Sequence, residues 1–397
     1  MSLSSWFLGA IPAVPPGRPE RDPRVDVFRG LALIIIFIDH VAGNVVTTVT
    51  PMSLGFSDAA EYFVLLAGFS AALAYGPAID RKGLVAGGAP IVARIWKLYT
   101  AHLALFVFMA VAVAFMAVRF GNPLYYEHVS ILPFFQDPAN TLLQIVTLTF
   151  LPNYLDILPL YVVLLAMMPA IWVLTRTAPA LALAASAGLY GLAWALQLAL
   201  PNFATGGSWF FNPFAWQLLF TVGLVAGHAT LNGVALPRSP WLTAMALALI
   251  VIGLVSQAPW SVITGLEALV LPDAWRLELD KANLSLWRFA HALAVAYLIA
   301  RFVAFDAAWL KRGLFRLLED AGRHSLPLFC LGVILSMIGT FAFFEIGRGP
   351  LMQVVVNVTG IAVLLGAGRM FQWYRDISAK APRQAPAATA FDEVKIA

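Results

Sequence analysis

The chain has 397 residues, 61% of them hydrophobic and 12% charged, with a formal net charge of +4. A soluble domain carries about a quarter charged residues, so this composition excludes an ordinary soluble globular enzyme. It gives no ground for a nucleic-acid partner, and the single cysteine, Cys330, excludes a disulfide framework and any multi-cysteine metal site. No metal is expected.

The apolar residues fall in blocks of about twenty, the length that spans about 30 Å of hydrocarbon as helix. The expected fold class is all-α: a polytopic integral membrane protein of about ten transmembrane helices, both termini cytoplasmic. Residues 1–21 have no positive leader, and Pro12, Pro15, Pro16 and Pro19 break any apolar core, so they read as a cytoplasmic arm. Residues 22–375 form the membrane domain. Its spans are expected near 28–48, 58–76, 91–119, 157–175, 179–200, 212–231, 240–257, 284–304, 325–345 and 350–373. Residues 376–397 read as a cytoplasmic tail, expected to be disordered. With the N-terminus inside, 20 of the 25 basic residues lie on the cytoplasmic side. Only Arg119, Arg276, Lys281, Arg288 and Arg348 lie outside, a strong positive-inside bias.

The first span reads FRGLALIIIFIDHVAGNVV. Asp22–Pro23 starts the helix, and Arg29 follows near the cytoplasmic face. His40, eleven residues on, lies about 16 Å deeper, near mid-bilayer, and within about 20° of the same face. Asn44 extends that stripe outward, and Asp39 flanks it. An Asp at a helix centre costs roughly 2.5–3.5 kcal/mol, so the pair must face protein or a wet cavity. One reading is a polar lock between helices. The other is chemistry: a neutral imidazole takes a proton from a hydroxyl, and an Arg at the mouth suits a phosphate-bearing donor.

In the second span, Asp58 and Glu61 have capping-box spacing. The alternative role for Glu61 is to orient His40 or meet the acceptor. At the head of the third span, Arg94 and Lys97 share one helix face as either snorkelling residues or a phosphate clamp. His102 lies deeper as a second polar position. Outside, the stretch near 139–151 suits a short interfacial helix, too short to cross. Trp260 and Trp275 mark the interface or stack on sugar rings. Asp156 caps the fourth span or contacts an acceptor hydroxyl. Arg288 and His291 read as surface anchors. GRHSLPLF, residues 322–329, opens the ninth span, where Ser325 caps the helix or touches the donor.

Taken together, the Arg29–His40 pair, the Arg94–Lys97 pair and GRHSLPLF resemble the membrane acyltransferase-3 superfamily. Within it, RVDVFRGLALIIIFIDH, SDAAEYFVLLAGF, RIWKLYTAH and YLDILPLYVVLL resemble the OpgC family, associated with succinylation of osmoregulated periplasmic glucans. The resemblance implies an acyl-CoA-dependent acyltransferase of the bacterial inner membrane with His40 as base. Asp39 or Glu61 would orient it. Arg29, Arg94, Lys97, His102 and Ser325 would serve the donor, and Asn44, Asp58 and Asp156 the acceptor. Acyl-CoA, with succinyl-CoA foremost, is then a co-substrate, and no cofactor is permanently bound. The partners are the donor, a periplasmic glucan and the lipid bilayer, with the oligomeric state open and a homodimer compatible. Two departures stand out: Lys97 replaces the usual second arginine, and LGV (331–333) follows the late motif where a His is common. The competing reading is a proton-coupled transporter or exporter of an anionic or carbohydrate solute, with Asp39–His40 as the relay.

Overall fold

The computed structural model describes residues 22–259 and 279–380. Those residues are helical apart from turns, loops and one small hairpin, Pro201–Asn202 paired with Gly207–Ser208.

Helix α1 spans Pro23–His40. The Asp22 side chain accepts from the Arg24 amide at 2.9 Å, and Pro23 sits in the first turn, where its missing N–H costs nothing. The apolar run continues past His40, yet the helix does not. Val41 is extended, Gly43 has φ 81°, and Asn44 caps a 3-10 turn over Val45–Val49. The expected span of 28–48 is therefore cut short, and His40 stands at the end of its helix rather than halfway along it. A short helix α2, Pro51–Leu54, follows.

Helix α3 covers Ala59–Phe120. Straight, its 62 residues would reach about 93 Å, far more than a bilayer. It is broken at Gly83, where φ 76° and ψ 171° leave the helical region. Gly87 then packs on the backbone of Ala78 and Ile79, so the chain reverses into two arms. The next loop holds three short helices, α4 (Leu124–His128), α5 (Leu132–Gln136) and α6 (Pro138–Val146). The last of these lies where the short interfacial helix was expected. Long helices follow: α7 (Ile157–Thr177), α8 (Pro179–Leu196), α9 (Pro213–Leu231), α10 (Pro240–Gln257) and α11 (Leu286–Phe302). Amphipathic α12 (Gly313–Arg323), then α13 (Ser325–Glu345) and α14 (Pro350–Lys380), complete the bundle. Helix α14 thus runs into the expected tail.

Among the described residues, seven helices are long and apolar enough to cross a membrane, the two-armed α3 counting as one. Two long helices fall outside that set. Helix α1 carries Arg24, Asp26, Arg29 and Asp39, and α11 has 17 residues. Trp260 and Trp275 lie outside the described residues.

Lipid supplies no hydrophobic drive between helices, so close packing must hold them together. Two glycine contacts do this at the centre. A Cβ on Gly30 of α1 would strike the backbone of Leu318 in α12, and one on Gly322 would strike the backbone of Asp26. Gly68 in α3 and Gly223 in α9 play the same part, each lying on the other helix's main chain. Helix α1 touches α3, α12, α13 and α14, which places its polar residues inside the bundle.

Candidate active site

One cavity, about 300 Å³ including its mouth, lies beside the Arg29 end of α1. Arg29 of α1, Phe63, Arg94 and Leu98 of α3, Ile157, Leu158 and Tyr161 of α7, and Ser325, Leu326 and Phe329 of α13 line it. Residues from four helices, spread over three hundred positions of sequence, therefore meet at one place. The Arg29 guanidinium lies 5.6 Å from the centre of the Phe63 ring. The Arg29 and Arg94 side chains line this space, and none of the described residues that line it is acidic, which suits an anion. Ser325 donates to the Gly322 carbonyl at 3.1 Å. Arg323 pairs with Glu319 and, at 3.6 Å, with buried Asp26. The GRHSLPLF motif thus joins α12 to α1 and sets Ser325 and Phe329 against the cavity.

Lys97 is exposed and does not reach this space. Of the two residues expected to form a clamp, only Arg94 faces the cavity. Three residues turn a helix by about 300°, so Lys97 sits about 60° round from the Arg94–Leu98 stripe that faces inward. His102 continues that stripe one turn beyond Leu98. It is 1% exposed, and neither ring nitrogen has a hydrogen-bond partner among the described residues.

His40 stands at the other end of α1 and does not line the cavity. The residue as a whole is half-buried. Nδ1 lies 2.6 Å from the Ile36 carbonyl oxygen one turn back. A carbonyl can only accept, so Nδ1 carries the proton and Nε2 keeps its lone pair. Neither expected carboxylate does this orienting. Asp39 accepts from the Thr50 hydroxyl at 2.7 Å, because adjacent helix positions diverge by about 100°. Glu61 accepts the Asp58 amide at 2.9 Å and pairs with Arg288 at 2.7 Å. No direct hydrogen bond joins the Asp39 and His40 side chains.

A family model described as OpgC protein matches residues 21–376. The chain belongs to the OpgC family. No curated protein and no solved structure matches it. Membership in the OpgC family supports a membrane acyltransferase-like role in glucan modification.

The remaining residues expected to serve this OpgC protein's acceptor side are placed as follows. Asn44 is buried. Its amide donates to Ile38 at 3.1 Å and to Asn357 at 2.9 Å, while its oxygen accepts from Val46 and Asn357. It caps a turn and locks α1 to α14. Asp58 caps α3 in the expected capping box and also binds Lys281 at 2.6 Å and Arg288 at 2.8 Å. Arg288 and His291 are 8% and 4% exposed, so they are interior residues rather than surface anchors. His291 Nδ1 is 2.7 Å from the Ser57 hydroxyl. Two acids in an apolar setting need a cation, and Lys281 and Arg288, distant in sequence, supply it. Asp156 precedes α7 without capping it by its side chain. It is half-buried, and burial pushes its carboxyl up to about 7.

Sequence reasoning missed the residues that flank His40. The Tyr154 ring lies 5.2 Å from the His40 ring, tilted by 58°. Tyr154 has φ 75°, a left-handed conformation costly for a non-glycine residue. Asn153 beside it donates its amide to Val129 and its side chain to His128, both at 3.0 Å. Asn202 exchanges two hydrogen bonds of 2.9 Å with Leu151. The loop is thereby clamped with Tyr154 turned toward His40.

Proposed function

We propose that this chain is an O-acyltransferase of the bacterial inner membrane. It moves an acyl group, succinyl foremost, from cytoplasmic acyl-CoA to a hydroxyl of a periplasmic glucan. The observation that carries the reading is the layout of α1: Arg29 sits with Arg94 and Ser325 on an anion-suited cavity, and His40 stands at the far end with its Nε2 lone pair uncommitted. The positive-inside bias supports a cytoplasmic Arg29 end and an outer His40 end. About ten crossings result if both arms of α3, α1 and α11 all span.

The donor's phosphates would rest on Arg29 and Arg94, with its thioester arm directed along α1 toward His40. Nε2 takes the proton of the glucan hydroxyl. The oxygen then attacks the thioester carbon, the C–S bond breaks, and the imidazolium returns its proton to the leaving thiolate. The products are an ester and free CoA thiol, with no net proton change.

The test is thiol release from succinyl-CoA by the purified protein, with and without added glucan. Glucan-dependent release is expected. Replacing Arg94 by Gln removes a charged hydrogen bond worth about 1.5–3 kcal/mol, so the donor KM should rise about 10- to 100-fold. The rise should shrink at high salt. Proton-coupled solute flux with no donor consumed would instead establish the transporter reading.

A further inference from the structure

We infer that Tyr154 and His128 form the acceptor subsite, a platform for one sugar unit beside His40. The inference rests on the acyltransferase reading for its role in the reaction, though not for the binding it asserts. The residues adjoin in a chain that starts at the base. Tyr154 packs on His40, and its hydroxyl is 3.1 Å from His128 Nε2. The His128 ring meets Phe344 edge to face at 5.3 Å, and the Arg348 guanidinium lies 5.8 Å from the Phe344 ring centre. Arg348 also covers Gly43, where a Cβ would collide with it, three residues past His40.

Three features point to a carbohydrate. First, His40, Tyr154 and His128 are each partly exposed, so none of the three is sealed in the core. Second, the wall pairs aromatic surface with polar edges, the mix that holds the C–H face of a sugar while its hydroxyls are read. His128 Nδ1 has no hydrogen-bond partner among the described residues, and Tyr154 bonds only His128 through its hydroxyl. Burial, and then nearby Arg348, keep the His128 imidazole below its ordinary range, so it is neutral and offers one donor and one acceptor. Third, the backbone strain at Tyr154 is maintained by the Asn153 and Asn202 clamps, and its effect is to hold the ring at His40. By contrast, Asn44 and Asp58 have their side-chain groups engaged within the fold.

The test is equilibrium binding of a fluorescent glucose oligosaccharide to the full-length protein in nanodiscs, without donor. Wild type should bind. Tyr154→Leu should weaken binding about tenfold, and Tyr154→Phe and His128→Gln about three- to tenfold, the range for one lost hydrogen bond. Circular dichroism and elution profile check folding, and Tyr154→Phe, which loses one oxygen, covers the case in which Tyr154→Leu does not fold. Wild-type-like binding by folded Tyr154→Phe and His128→Gln overturns the proposal. So does displacement of the sugar by succinate, which would make this an anion site built on Arg348. Sugar binding that depends on these residues, with no thiol release from acyl-CoA, would leave the subsite standing and remove the acyltransferase reading.

Discussion

Replacing His40 by Ala should lower glucan acylation by about 10²- to 10⁴-fold, the contribution of a positioned general base. The donor KM should change little, because His40 does not line the cavity that holds Arg29 and Arg94. His40→Asn is the sharper variant. Its amide nitrogen can still donate to the Ile36 carbonyl, which lies 2.6 Å from Nδ1 in the native ring. It has no basic nitrogen where Nε2 was. Equal losses in both variants would place the effect on the base. Glucans acylated to near wild-type extent in cells carrying either variant would remove His40 from the chemistry.

Replacing Arg288 by Met should destabilise the protein by about 3–5 kcal/mol, the usual cost of leaving buried charge uncompensated. Asp58 and Glu61 are 4% and 0% exposed, and Arg288 binds both, at 2.8 and 2.7 Å. Lys281 bonds Asp58 but not Glu61, so it cannot replace Arg288 at both acids. Adding Glu61→Gln to Arg288→Met should recover part of the loss, since it removes the charge that Lys281 does not reach. Reversible unfolding in mixed detergent would measure this. A loss under about 1 kcal/mol would mean that the network is solvated like a surface pair.

Several of these features were legible in the residues. The Asp58–Glu61 spacing announced a capping box, and one formed. The Asp22–Pro23 start has direct physical meaning, and it appears in the fold. Arg29 and Arg94 stand out in the sequence by charge and register, and both line one cavity. The end of α1 was misplaced because the apolar run hides it, although Gly43, Asn44 and Pro51 are turn and cap residues. Arg288 was read as an anchor because its acids lie 227 and 230 residues away. The Tyr154–His128 wall had no local signal, since two asparagine clamps and a strained backbone bring it to His40. Periodicity reports which face of a helix is apolar, whereas loop placement depends on such long-range bonds.

The most direct measurement is a structure with a non-hydrolysable succinyl-CoA analogue and its contacts to α1. The account predicts diphosphate oxygens on Arg29 and Arg94, and the acyl carbonyl carbon on the Nε2 side of His40, next to Tyr154. An analogue whose acyl end lies away from His40, or whose phosphates bypass both arginines, would contradict it.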